Sequence, residues 1–200
     1  MNALIKKQAF FDEVVPRWIL DTEERSTRLY ELFMRFDLPL IGPILDVGAG
    51  AGILLPLLRR FAPAAPIVEL EVSMEMLRMA RILHASLNDV TYVLADGHRL
   101  PFPDAHFGSI HCFSVFPHLH DRTTAIGELH RGLRPGGHLC ILHLMGHEQL
   151  NDLHRDAGRV VADDVLPPVG VLADILRPAG FDITHAEERP DLYLLLATAR

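Results

Sequence analysis

"ILDVGAGAGILLPLL", residues Ile44 to Leu58, decides how the rest of the chain is read. A short apolar run carrying Asp46 gives way to small residues from Gly48 to Gly52, and a second apolar stretch follows at once. A buried strand that turns directly into a helix has this form. Glycine lets a ligand approach the backbone closely, and the first amides of the helix point at whatever sits there. The spacing is G-x-G-x-G behind an acid, not the G-x-G-x-x-G of a dinucleotide turn, which counts against a nicotinamide cofactor. A tight corner that binds nothing is the competing reading of the glycines alone.

Downstream of Pro43, strands and helices alternate. "ILDV", "PIVELEV", "TYVLA", "FGSIHCFSV" and "HLCILHLM" read as strands. "GILLPLLRRF", with Pro56 in its first turn, "SMEMLRMARILHAS", with Ser73 as N-cap, and "RTTAIGELHRGL" read as helices. "RPGG" reads as a helix-ending turn, and residues 147–164 as helical. After Pro167 and Pro168, "VGVLADILRPAG" is a short helix. "FDITHAEER" and "DLYLLLATA" then form an antiparallel hairpin. The expectation is an α/β, Rossmann-like, mostly parallel seven-stranded sheet with helices on both faces and a C-terminal antiparallel hairpin.

Ahead of this lie two helical stretches, "QAFFDEVVPRWIL", interrupted at Pro16, and "TEERSTRLYELFMRF", capped by Asp21 or Thr22. The turn residues of "DLPLIGP" divide the chain into an N-terminal helical cap, residues 1–42, and a single compact domain, residues 43–200. Phe10, Phe11, Trp18 and Phe33 could close such a cap over a ligand, or pack as core.

Two hundred residues suffice for one substantial core, and 49% hydrophobic with 22% charged residues is ordinary for a globular protein. The net charge of -7 argues against a sequence-independent grip on nucleic acid. Lys6 and Lys7 are the only lysines. No secretory leader or membrane span is read, and Cys112 and Cys140 lie in apolar strands as reduced core residues, so a cytoplasmic protein is expected. Oligomeric state, monomer or homodimer, stays open.

Three strand ends carry acids. Glu71 lies 23 residues beyond Gly48, where a carboxylate would hold both ribose hydroxyls of a nucleoside. Glu69, two residues earlier on the same strand face, competes for that role. Asp96, before Gly97, suits an exocyclic amine of a purine or, equally, a turn cap.

With "ILDVGAGAG", "ELEVSMEML", "ADGHRLPFPDAHF", "ELHRGLRPGGHLCI" and the closing "ILRPAGFDITHAEERPDLYLLLATA", residues 42 to 200 resemble the class I S-adenosylmethionine-dependent methyltransferases. The resemblance implies that the Asp46–Gly52 loop, through Asp46, Gly48, Ala49 and Gly50, cradles the methionine part of S-adenosylmethionine. It further implies Glu71 on the ribose, Asp96 on the adenine amine, and contacts from Val72, Met76, Gly97 and His98. Phe113 and Ser114 would stand near the sulfonium, and S-adenosylhomocysteine would be the product. Two departures stand out. The family usually carries Asp where Glu71 stands, and many members read Phe-Asp where this chain has Phe107-Gly108. Without Asn-Pro-Pro-Tyr after the fourth strand, nothing points to DNA or protein-glutamine methylation.

A small-molecule methyl acceptor is therefore expected, with a base needed only if the acceptor carries a proton. "SVFPHLHD" supplies His118 as base or orienting group, with the alternative that it merely packs. Trp18, His120, His143 and His147 are further candidates for substrate contact. His143, His147 and His154 raise a metal question, but no cysteine stands nearby, and no metal is expected. Two other function classes remain: a non-catalytic nucleoside-binding regulator and a nicotinamide-dependent oxidoreductase.

Overall fold

Seven strands make up one sheet: β1 (Ile44–Val47), β2 (Ile67–Glu71), β3 (Val90–Leu94), β4 (Phe107–Phe113), β5 (Leu133–His143), β6 (Phe181–Arg189) and β7 (Leu192–Ala199). The computed structural model describes residues 7–13, 22–157 and 160–200. The strand order is β3-β2-β1-β4-β5-β7-β6. β1 to β5 pair in parallel, while β7 runs antiparallel to both β5 and β6. β7 is thus interior, and the hairpin joins the sheet through its second strand.

Helices cover both faces. Residues 7–13 are helical (α1), and α2 (Thr22–Phe36), α3 (Leu55–Phe61), α4 (Met74–Leu83), α5 (Arg122–Gly132), α6 (His147–Ala157) and α7 (Val169–Leu176) follow. One core joins Leu45, Val68, Ile110 and Leu139 of the strands to Ile126 and Leu129 of α5 and Leu172 and Leu176 of α7. The other joins Ile44, Ile67 and Leu142 to Leu29 and Phe33 of α2 and Leu55 and Leu58 of α3. Strands alternate their side chains between these two layers, which is why β1, β2 and β4 are buried along their whole length.

The ends of the helices follow local chemistry. Ser73 caps α4, its hydroxyl accepting the Met76 amide at 3.1 Å, and Asp121 caps α5 by accepting the Thr124 amide at 3.1 Å. Pro56 falls in the first turn of α3, where no amide is required. The proposed caps of α2, Asp21 and the Thr22 side chain, lie outside the described residues, as do Pro16 and Trp18.

Three details differ from the sequence reading. α6 ends at Ala157, and residues 160–163 form a turn instead of continuing the helix to 164. "RPGG" does not precede β5 but lies inside it: Leu133 already pairs with Phe107, and the register jumps so that Ser109 faces His138. Gly136, at φ 76°, accommodates that irregularity. Gly108, where the family often has Asp, is held by close approach. A Cβ there would stand 2.5 Å from the Ile41 carbonyl oxygen, while its amide donates to Pro43 at 3.0 Å. The segment entering β1 leans on β4 at this point, and no side chain fits between them.

Candidate functional site

The strand order reverses between β1 and β4, and the loops at their carboxyl ends diverge there. A cavity of about 430 Å³ opens at that place. Its walls come from the Asp46–Ala51 loop, the tip of β2 at Leu70–Val72, Ala95–His98 after β3, and Phe113–Val115 with His118–His120 after β4. Lys7 and Phe11 of α1 and Arg25 and Ser26 of α2 close it from above.

The glycine loop has a specific backbone shape. Gly48, Gly50 and Gly52 all have positive φ. At Gly48, φ is 69° and a Cβ would lie 2.2 Å from the Val115 side chain, so the loops after β1 and β4 touch only because no side chain intervenes.

Glu71 organises that loop. Its carboxylate accepts the amides of Gly50 at 3.0 Å, Val72 at 2.7 Å and Ser73 at 2.8 Å. Burial pushes its pKa up, and those three amides pull it partly back. The extra methylene of Glu over Asp supplies the reach from β2 to the glycine loop. Glu69, the competitor, is fully buried beside Asp46 in the pairing of β1 with β2 and does not line the cavity. Burial first, and then Asp46, raise its pKa well above the ordinary range.

Asp46 does line the cavity, and its Oδ1 has no hydrogen-bond partner among the described residues. Burial and the neighbouring Glu71 raise its pKa well above the usual value. Its β-sheet neighbour on the other side is His111, whose pKa burial lowers to about 4. An orphaned buried carboxyl oxygen beside a cavity calls for a partner that the described residues do not supply.

Asp96 is a turn cap on the rim of the cavity. Its Oδ1 accepts the His98 amide at 3.0 Å and lies 2.6 Å from His98 Nδ1, a turn cap; its side chain still borders the cavity. The His98 ring stacks obliquely on His120 at 4.5 Å. Gly97, Met76, Phe113 and Ser114 also line the wall, and Arg25 lies over the Phe113 ring at 5.6 Å.

His118 follows β4 at the end of a short 3-10 turn, Phe116–His118. Its Nδ1 is 2.8 Å from Asp164 Oδ2, and Lys7 Nζ reaches Asp164 Oδ1 at 2.7 Å and the His118 carbonyl at 2.9 Å. Asp164 feels burial pushing its pKa up, but the hydrogen bonds from His118 and Lys7 win, and the carboxyl is held below its ordinary range. An ionised Asp164 fixes the proton of neutral His118 on Nδ1 and leaves the lone pair on Nε2. Burial lowers the pKa of His118, partly offset by Asp164.

Of the remaining histidines, His120 borders the cavity, whereas His143 and His147 do not. His143 is buried against the Tyr193 ring, edge-on at 5.7 Å, and among the described residues neither ring nitrogen has a partner. His147 starts α6 bound to Glu188, which accepts its amide at 2.8 Å and also contacts its Nδ1. Among the described residues no group of three or more His, Cys, Asp or Glu side chains could hold a metal ion. Phe33 packs in the core on Phe61; among the described residues Phe11 lines the cavity, and Phe10 and Phe33 do not. Asp164 and Lys7 were invisible to sequence reasoning, lying 46 and 111 residues from His118 with no motif to connect them.

Comparison with known proteins adds four findings. The family described as "Methyltransferase domain" matches residues 45–141. The "Ubiquinone/menaquinone biosynthesis C-methyltransferase UbiE" of Methylococcus capsulatus is 30% identical over 174 residues, 82% of this chain and 69% of that protein. Its namesake from Hahella chejuensis is 28% identical over 171 residues, 81% and 68%. A SAM-dependent methyltransferase structure from Aquifex aeolicus shares the fold at a TM-score of 0.68 and 22% identity, covering 86% of this chain and 89% of that one.

Proposed function

Since the chain belongs to the class I S-adenosylmethionine-dependent methyltransferases, we propose that it methylates a ring carbon of a small, largely apolar phenol or hydroquinone, with His118 as the base. Its cofactor is S-adenosylmethionine, which when bound supplies a methyl group on a sulfonium that needs no further activation and leaves as S-adenosylhomocysteine. The residues fit that cofactor. Asp46, with its unpartnered oxygen, takes the methionine amino group at the glycine loop; Glu71, whose Oε2 carries a single amide, takes the ribose; Asp96 takes the adenine amine. In this reading the described helices of the segment 1–42, α1 and α2, serve as a cap over the domain of residues 43–200.

One observation carries the acceptor reading: His118 Nδ1 is committed to Asp164 at 2.8 Å on the cavity wall, which leaves Nε2 as the basic nitrogen. A phenolic hydroxyl gives its proton to Nε2, and the oxygen's electron pair is delocalised onto the ring carbon that receives the methyl group; the proton displaced from that carbon passes to solvent while the imidazolium returns its own to the oxygen, which restores the aromatic ring. Phe11, Leu119 and Val115 around His118 exclude water and suit an apolar ring. The relatives named for carbon methylation in ubiquinone and menaquinone biosynthesis support an acceptor of this class.

No helix among the described residues is long and apolar enough to cross a membrane. The buried free thiols of Cys112 and Cys140 suit a reducing, cytoplasmic setting. The test is turnover of 1,4-naphthohydroquinone, kept reduced, with S-adenosylmethionine labelled with carbon-13 in the methyl group. A ring-carbon methyl signal supports the proposal; an oxygen-bound methyl signal, or tight cofactor binding without any product, overturns it.

A further inference from the structure

Residues 7–13 span the cavity from rim to rim. On the β2 side, Gln8 Nε2 donates to the Val72 carbonyl at 3.1 Å, and the Asp12 carboxylate accepts the Ser73 hydroxyl and, at 3.4 Å, the Glu75 amide. Those contacts flank Glu71, the residue assigned to the ribose. On the β4 side, Lys7 Nζ reaches Asp164 Oδ1 and the His118 carbonyl, and Phe11 presents its edge to the His118 ring at 5.1 Å. The Lys7 and Asp164 side chains are only 13% and 7% exposed, so their ion pair is poorly screened.

We propose that Lys7 is a positioning residue that arms the His118–Asp164 pair only while segment 7–13 lies across the cavity; the inference rests on His118 being the base. Asp164 divides its two oxygens between the partners, Oδ1 to Lys7 and Oδ2 to His118. With Lys7 in place, its ammonium neutralises the carboxylate that would otherwise stabilise a charged imidazolium. Nε2 then stays free of its proton. With Lys7 withdrawn, Asp164 faces His118 alone, the imidazolium is favoured, and Nε2 carries a proton taken from solvent. Closure expels that proton to solvent and creates the base as water is excluded. An open site thus holds a protonated, inactive His118.

The other charged or titratable groups facing His118 are His154 of α6, with ring centroids 5.0 Å apart, and His143 of β5, which feels its charge. Neither is carried by α1. Burial is the main cause of the lowered His118 pKa, and Lys7, alone of these partners carried by α1, adds to it.

The test reads protonation directly. Nitrogen-15 imidazole NMR follows His118 against pH in the full chain saturated with S-adenosylhomocysteine, with the signal assigned by its loss in His118→Asn. The wild-type midpoint is expected below the ordinary histidine value of about 6.5. Lys7→Met should raise it, and Lys7→Arg should restore it. Asp12→Ala, which loosens the far rim without touching the dyad, should raise it as well. Superimposable titrations of wild type and Lys7→Met would overturn the proposal. So would a rise in Lys7→Met with none in Asp12→Ala, because the effect would then not depend on how the segment lies. Failure of the base assignment looks different: His118→Asn would turn over 1,4-naphthohydroquinone at the wild-type rate while the Lys7 titration shift persisted.

Discussion

The carboxylate of Glu71 and the amide of Gly50, 21 residues apart, meet at 3.0 Å and tie the tip of β2 to the glycine loop of β1. One side chain therefore both shapes the loop and faces the cavity. Three amide donors occupy three of the roughly four lone-pair positions of the carboxylate, which fixes its orientation before any ligand arrives.

Glu71→Ala should weaken S-adenosylmethionine binding by about 1–3 kcal/mol, the cost of unpaired hydroxyls and of a loosened loop. Glu71→Asp, one methylene shorter, loses the reach to Gly50 and should fall between the two. Calorimetric titration measures both, and unchanged affinity in Glu71→Ala would remove it from the ribose.

His118→Asn should lower turnover by about 10²-fold or more while cofactor affinity stays near wild type. Since burial lowers the pKa of His118, the wild-type rate should hold as pH falls through the ordinary histidine range and drop only below it. A pH–rate profile checks this: the neutral ring is the active form, so activity is lost toward acid. Equal losses of turnover and cofactor affinity in His118→Asn would mark it as a wall of the cofactor pocket.

His143 reports on stability, not on catalysis. Burial lowers its pKa to about 3, so the folded state keeps it neutral while the unfolded state takes up a proton below about pH 6.5. Its contribution to stability is present above the unfolded value and is lost as pH falls toward the folded one. His143→Leu removes that proton linkage and two unpartnered ring nitrogens, so its acid-unfolding midpoint should move to lower pH, with turnover unchanged. Circular dichroism against pH, paired with a rate at neutral pH, tests both halves.

Gly108→Ala should destabilise the fold by about 1–3 kcal/mol, because the new Cβ meets a backbone oxygen that no rotamer change can move. Ser73→Ala should cost about 1 kcal/mol through loss of the α4 cap. Denaturant midpoints separate these, and a Gly108→Ala midpoint equal to wild type would show that the entry to β1 yields easily.

Much of the fold is written in short-range pattern. The continuous apolar runs of β1, β2 and β4, the Ser73 cap and the glycine loop are local, and each occupies its expected place. The acids at the strand tips are legible for the same reason: parallel strands bring their carboxyl ends together whatever the helices between them do. The dyad is not legible. Asp164 comes from the turn beyond α6 and Lys7 from α1, and only tertiary packing sets both against His118. The irregular start of β5 escaped as well, since "RPGG" has turn chemistry whether the turn stands before a strand or bulges within it. Gly108 looked like a missing acid, whereas the neighbouring Ile41 backbone leaves no room for one.

The interior position of β7 has a consequence for biosynthesis. β5 is complete at His143, yet one long edge of it stays unpaired until Leu192–Ala199 arrive, about 50 residues later. At roughly 5–20 residues per second the ribosome leaves that edge open for several seconds. The exposed segment is "LCILHL", apolar and uncharged at neutral pH, with the qualities of a strand that recruits other chains. The nascent protein thus carries its greatest aggregation hazard on the strand that becomes one of the best buried once synthesis has passed β7.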